Sequence, residues 1–307
     1  MRILVLGAGA IGGIFGGRLA ESGADVTFLV RGQRKAQLDA RGLVVKSPAG
    51  DIALPVRTLA IGDEAAQFDV VLLSCKSYDL DGAIDAIAPF MGETSVVLPL
   101  LNGIRHLDRL AELLGAGRVL GGACYLGVAL DPDGTVRHIG DLQSLVFGEI
   151  SGAITPRTQA IADLFARTKV AVTLSATIRQ AMWEKLVMLA ALAATTTLTR
   201  AAIGEIMAAP SGEAFMLDAL AECAAVAAAE GFAPSAEALT RSRAMLTMRG
   251  SSFAASTMRD LVAGRRTEGD HIIGDLVRRA EARGIAVPLL ATARANIEVH
   301  ETRLARR

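Results

Sequence analysis

The chain opens MRILVLGAGAIGGIFGG, and this stretch restricts the fold more than any other. Residues 2–7 form an apolar run of strand length. Gly7, Gly9 and Gly12 follow in G-x-G-x-x-G spacing, and small residues of helical character continue to Ser22. In a chain with 31 glycines the spacing alone says little. It gains meaning because it follows a strand and opens a helix inside one βαβ unit. Gly7 permits a tight turn, Gly9 lets the backbone approach a pyrophosphate, and Gly12 lets helix and strand pack closely. Ala10 and Ile11 fill the places between Gly9 and Gly12. They join the set through the N–H groups of the helix N-terminus, which suit an anion. The same stretch has the outline of a secretory leader, but it lacks a convincing cleavage site.

Alternation of strand-like and helical segments continues through the first half. DVTFLVR (25–31), DVVLLSCK (69–76) and SVVLPLLNG (95–103) read as strands, and each is followed by a helical or amphipathic stretch. This order implies a parallel sheet covered on both faces. RVLGGACYLGVAL, GTVRHIG and SLVFGE read as a strand and a hairpin near the domain edge, turned by DPDG. Thr155 and Pro156 read as the cap and first turn of a helix. After one more short strand, VAVTLS, helical periods run over 177–208, 212–231, 235–248, 254–263, 268–283 and 289–305. The expected fold class is therefore α/β. It has an N-terminal Rossmann-type doubly wound parallel sheet (residues 1–172) and an all-helical C-terminal domain (173–307).

The end of the second strand bears on the cofactor. Sites for NAD usually carry an acid there for the ribose hydroxyls. Here the strand ends LVRGQRK, with Arg31 in that place and Arg34 and Lys35 close behind, and no acid before Asp39. A cationic cluster suits a 2′-phosphate, so NADPH is the expected cofactor. Ligands of doubly wound sheets sit beyond the carboxyl ends of the strands. Lys76 and Asn102 occupy such ends and are candidates to face nicotinamide and substrate. As plain loop residues they would need no such role, and Asn102-Gly103 is a common turn pair.

The run AMWEKLVMLAALAATTTLT (181–199) raises a different question. Lys185 stands at the mouth of fourteen uncharged residues, either as a snorkelling surface side chain or as a cation aimed into a cavity. The run is too short and too rich in threonine for a membrane span. The 32 basic and 32 acidic residues cancel, which offers nothing to a nucleic acid or an anionic membrane. Cys75, Cys124 and Cys223 are far apart and show neither disulfide nor zinc spacing, so no metal is expected and a reducing cytoplasm fits.

The segments GAGAIGG, CKSYD, LLNG, WEKL and STMRDLVAGRRTEGDHIIGDLVRRAEARGIAVP occur in the order seen in ketopantoate reductases (2-dehydropantoate 2-reductases), and the chain resembles that family over almost its whole length. The resemblance implies a Rossmann domain, a helical domain and an active site in the cleft between them, where NADPH reduces a 2-oxo acid. The default reaction is 2-dehydropantoate to (R)-pantoate, in pantothenate biosynthesis. Residue by residue, Lys185 matches the catalytic lysine and Glu268 the motif glutamate. Ser256, twelve residues earlier, matches the serine that contacts the substrate carboxylate. Lys76 and Asn102 match positions lining cofactor and substrate, and Arg31 matches the arginine for the adenosine phosphate. As general acid, Lys185 would protonate the nascent alkoxide. Glu268 would hold Lys185 or accept a hydrogen bond from a substrate hydroxyl. As a bare sequence feature it also reads as a helix N-terminal acid beside a capping Thr267.

The family pattern K-L-x-x-N-x-x-x-N is broken here. Leu189 and Ala193 stand where asparagines would share a helix face with the lysine, Leu101 replaces a glutamine, and His271 replaces an aromatic residue. Three outcomes follow: a 2-dehydropantoate reductase, a reductase of the same architecture for a less polar oxo acid or ketone, or an NADPH-binding sensor without catalysis. The sequence leaves the assembly open, a homodimer included.

Overall fold

The computed structural model describes residues 1–64 and 67–306, which divide into two compact units. The first holds residues 1–102 and 106–178. The second holds 103–105 and 179–307, so the chain changes unit somewhat later than the 172/173 break expected.

The first unit is built on five parallel strands in the order β5-β2-β1-β6-β7, namely β1 (Arg2–Leu6), β2 (Asp25–Leu29), β5 (Arg57–Leu59), β6 (Phe68–Leu73) and β7 (Met91–Pro99). The chain leaves β1 for β2 on one side and later returns to β6 on the other, which makes a switch point at β1. Residues of β1 alternate between two cores. Ile3 and Val5 join Phe15, Phe28, Val70 and Leu72, whereas Leu4 and Leu6 join Val71, Leu73, Ile84 and Leu110. The second face is covered by α3 (Leu80–Ile87) and α4 (Arg105–Leu114).

The first face differs from a simple helical cover. Helix α1 (Ala10–Glu21) lies on it and is itself covered by a second sheet, ordered β10-β9-β3-β4 with β8 paired to β9. Its strands are β3 (Leu43–Lys46), β4 (Ile52–Leu54), β8 (Leu120–Leu130), β9 (Val136–Glu149) and β10 (Ala171–Leu174). The stretches GTVRHIG and SLVFGE, read above as separate pieces, merge into the single strand β9. Its antiparallel register with β8 shifts once, between Leu126 and Gly127. A helix between two sheets must be slim on both sides. Gly16 has no room for a Cβ against Phe28 and Val5 of the main sheet, nor Gly13 and Gly17 against Val136 and Leu43 of the second. Arg18 on α1 is fully buried and reaches Glu21, Ser47 Oγ at 3.1 Å and the Gly50 carbonyl at 2.7 Å, tying α1 to the β3–β4 turn.

Helix α2 (Gly32–Arg41) follows β2, and α5 (Pro156–Phe165) precedes β10. Thr155 caps α5 in a reciprocal box with Thr158, and Pro156 takes the first helical position, as expected from sequence. The buried Glu149 receives Arg157 Nε at 2.7 Å, Arg157 Nη2 at 2.6 Å and Thr155 Oγ1 at 2.7 Å.

The second unit holds α6 (Ile178–Thr199, from Arg179 on), α7 (Ile203–Ile206), α8 (Gly212–Ala229), α9 (Ala236–Leu246), α10 (Ser256–Val262), α11 (Asp275–Ala282) and α12 (Pro288–Ala305). Helix α6 reaches membrane-spanning length, but 67% of its most apolar 18-residue window is buried, which makes it a core helix apolar on all sides. The helical period read over 177–208 breaks at Arg200. This residue sits at φ 55° and turns its guanidinium onto the Thr197 and Leu198 carbonyls, ending α6, and onto Asn296. Glu222 of α8 receives the backbone N–H groups of Leu289 and Leu290 and so caps α12.

Glu149→Gln should lower stability by about 1–2 kcal/mol near pH 7. The hydrogen bonds from Arg157 hold the Glu149 carboxyl below its ordinary range in the folded state. Its contribution is therefore complete above the unfolded glutamate value of about 4.3 and is lost as pH falls through the lower folded value. Urea midpoints of wild type and variant should differ near neutrality and converge in acid. A constant gap across that range would remove the charge from the explanation.

Candidate active site

Gly7, at φ 88°, turns the chain out of β1, and Ser74 Oγ donates to the Leu6 carbonyl at 2.8 Å and the Gly7 carbonyl at 3.1 Å to hold the turn. A Cβ on Gly12 would overlap the Gly7 carbonyl oxygen, so the third glycine is fixed by close helix–strand approach. A Cβ on Gly9 would meet nothing within 4 Å, which leaves open space over the N-terminus of α1. No side chain caps that terminus, and no acid lies in its first turn. Ala10 and Ile11 form its first turn. A pyrophosphate fits these features: free N–H groups, the positive end of a helix dipole and room to approach.

Gly7, Gly9 and Arg31 line one cavity of about 540 Å³ within the first unit. Its mouth includes Ile61 and Leu130, which are 57% and 44% exposed, beside Pro132. Large aliphatics open to solvent around a cavity offer apolar walls to a flat ring. These two residues and Pro132 were missed in the sequence. The proline-containing turn DPDG hinted only at Leu130 and Pro132, whereas Ile61 follows the short strand β5, which has no sequence signature of its own. The basic cluster after β2 also separates. Arg31 is exposed, and its side chain has no hydrogen-bond or ion-pair partner among the described residues. Lys35 is engaged by Asp39 at 2.8 Å and Thr58 Oγ1 at 3.1 Å. Arg34 is half-buried and bonded to backbone.

Lys76 and Asn102 lie beyond the carboxyl ends of β6 and β7, both half-buried. Lys76 begins the turn Ser77–Asp79, while Cys75 before it lines the cavity.

The other three candidates sit on separate elements of the second unit. Lys185 is half-buried on α6. Its neighbours fix the helix around it. Trp183 stacks on Phe232 at 5.7 Å, with Arg279 over its ring at 5.5 Å. Burial opposes ionisation of Glu184, but the Ser235 N–H at 3.0 Å and Gln180 at 3.1 Å outweigh it and hold the carboxyl below its ordinary range. Leu189 is half-buried one turn beyond Lys185, and Ala193 is buried. Of the three threonines that follow, Thr197 keeps a buried hydroxyl with no hydrogen-bond partner among the described residues. Thr195, Thr196 and Thr197 are all buried, and the first two spend their hydroxyls on carbonyls of their own helix.

Ser256 is the first residue of α10, and Glu268 is 7% exposed. Thr267 orders the approach to Glu268. Its N–H and its hydroxyl both donate to Glu301 Oε1 at 2.8 Å, and its hydroxyl accepts from the Gly269 N–H. Glu268 is followed at once by a π-helical turn, Asp270–Gly274, whose Asp270 is held by Arg278 and Arg105. Such widened turns recur at functional sites.

Residues 3–152 match the family described as ketopantoate reductase PanE/ApbA, and residues 177–301 match its C-terminal region. An uncharacterized oxidoreductase of Bacillus subtilis, YkpB, is 37% identical over 98% of this chain and 99% of its own. The crystal structure of a PanE/ApbA family ketopantoate reductase from Ralstonia eutropha has a TM-score of 0.90 at 31% identity, covering 99% of this chain and 100% of that one. A D-mandelate dehydrogenase held with NADH and anilino(oxo)acetate shares the fold at 21% identity, with a TM-score of 0.90 over 99% of this chain and all of its own. Fold and relatives together define an NAD(P)H-dependent oxidoreductase. The chain belongs to the ketopantoate reductase family.

Glu301→Ala should release the segment before Glu268, seen as faster hydrogen exchange at the Thr267 and Gly269 amides, at a cost of about 1–2 kcal/mol. Glu301→Gln keeps an acceptor and should retain most of the protection. Unchanged exchange in the alanine variant would mean that Glu301 does not order this segment.

Proposed function

We propose that this protein uses NADPH to reduce a 2-oxo acid whose side chain is less polar than that of 2-dehydropantoate. The observation that carries the cofactor is the cavity lined by Gly7, Gly9 and the unpartnered Arg31. What supports the substrate class is the face of α6 beside Lys185, where Leu189 and Ala193 offer no hydrogen bond. The 2-dehydropantoate reading rests on likeness to relatives such as the Ralstonia enzyme. It requires polar contacts that this helix lacks, each worth on the order of 1–3 kcal/mol.

In this reading the Gly9–Gly12 backbone, with Ala10 and Ile11, holds the pyrophosphate, and Arg31 pairs with the 2′-phosphate. Lys76 and Asn102 lie along the nicotinamide and substrate side. When bound, NADPH supplies the hydride for the oxo carbon. The carbonyl π pair moves onto oxygen, and the Lys185 ammonium delivers a proton there and stabilises the charge as it forms. Lys185 then regains a proton from water. The Ser256 hydroxyl donates to the substrate carboxylate. Glu268 keeps Lys185 in place or accepts from a substrate hydroxyl. Three cysteines far apart in sequence suit the reducing cytoplasm in which we place the protein, and the small oxo acid is its expected partner.

Three measurements test this. NADPH oxidation against a panel of 2-oxo acids should favour apolar side chains over ketopantoate, and Leu189→Asn should shift the preference toward ketopantoate. A wild-type enzyme that prefers ketopantoate would reject the substrate class. Arg31→Ala should raise KM for NADPH far more than for NADH, and equal use of both by wild type would reject the 2′-phosphate assignment. Lys185→Ala should lower single-turnover hydride transfer by roughly 10²–10⁴-fold, with cofactor affinity little changed. A rate within a few-fold of wild type would make Lys185 a snorkelling surface residue.

A further inference from the structure

We infer that Arg34 is a positioning residue for the cofactor, which shapes the cavity for the part common to NADPH and NADH and makes no contact with the 2′-phosphate. The inference rests on the reading of that cavity as the dinucleotide site.

Arg34 sits in the first turn of α2, and its side chain spans three segments that are remote in sequence. Nε donates at 2.7 Å to the carbonyl of Ala8, between the first two glycines of the loop. Nη1 donates at 2.7 Å to the carbonyl of Gly134 and at 3.3 Å to Gln37 Oε1. Gly134 closes the turn after Leu130, Asp131 and Pro132, which form part of the cavity wall. One planar group therefore sets the distance between the glycine loop and the opposite wall. Arg34 lines the cavity, but its Nε and Nη1 are spent on protein oxygens and Nη2 is buried without a hydrogen-bond partner among the described residues, which fits a role in holding the wall rather than in meeting a phosphate.

Two further observations support this role. The residues at i, i+3 and i+7 on α2 all address the same turn: Arg34 reaches the Gly134 carbonyl, Gln37 the Pro132 carbonyl at 3.5 Å and Arg41 the Asp133 carbonyl at 3.2 Å. Gly134, at φ 89°, stands where any Cβ would strike Arg34 Nη1 and Gln37 Oε1. The turn is thus shaped to receive the guanidinium. Because the two carbonyls lie in different directions, a fork of N–H donors can serve both and a single ammonium cannot.

The experiment is titration of NADPH and of NADH, followed by nicotinamide fluorescence, with thermal melting of each apo variant. Arg34→Ala should weaken both cofactors by roughly ten- to a hundredfold and leave their ratio unchanged. Arg34→Lys, which keeps the charge, should remain weakened. Gly134→Ala, which displaces Nη1 from the other side, should show the same uniform loss and serves if Arg34→Ala does not fold. Arg31→Ala should instead weaken NADPH alone. Loss confined to NADPH in Arg34→Ala would make Arg34 a phosphate ligand, and wild-type affinity in Arg34→Lys would reduce its role to charge. A lower melting midpoint with unchanged affinities would make it merely structural. Each of these results overturns the inference. A wild-type protein that binds neither cofactor would overturn the cavity reading with it.

Discussion

Burial of α1 between two sheets is the constraint on which the first unit depends. A helix in that position cannot carry bulk toward either side, and Gly13, Gly16 and Gly17 meet that demand. The glycines of this segment thus answer two different requirements. Gly7 and Gly12 set the turn and the close approach of helix to strand, whereas the later ones let β-sheet side chains press against the helix backbone. With α1 clamped from both faces, its N-terminus has a fixed direction, and the loop leading into it is held by Ser74 from β6's side and by Arg34 from α2's. A rigid N-terminus is what an anion site requires, because its N–H groups need no reorganisation when charge arrives.

Much of this architecture was legible in the sequence. The central strands are continuous apolar runs, and the later helices are punctuated by proline and glycine, so elements such as α8, α9 and α12 fall within a few residues of their expected bounds. The second sheet was harder to see. Its strands β3 and β4 are four and three residues long, too short to establish a period of two, and β3 joins the rest of the sheet only by pairing with the distant β9. The break at Arg200 was hidden for another reason: no glycine or proline marks it, and the arginine stabilises the helix end with its own side chain.

The candidate site was legible in the same uneven way. Residues whose chemistry resides in local spacing, Gly7, Gly9 and Gly12, could be placed from sequence because their surroundings lie within one βαβ unit. Lys35 could not be separated from Arg31 by spacing, since Asp39 and the remote Thr58 decide its engagement. Nor could Thr195 and Thr196 be excluded as stand-ins for the absent asparagines until their hydroxyls were seen turned back on the helix. What stands beside Lys185 on α6 is aliphatic, with Leu189 half-buried and Ala193 buried.

The double-sided packing of α1 also has a consequence for synthesis. A chain made from its N-terminus presents β1, α1 and β2 first, while β9 and β10 are completed only near residue 174. Until β9 is made the face of Gly13 has no Val136 to rest against, and the turn that receives Arg34 does not exist. Domains generally fold as units during synthesis. Within this unit, the glycine-rich segment is made well before the strands of the second sheet that complete its surroundings.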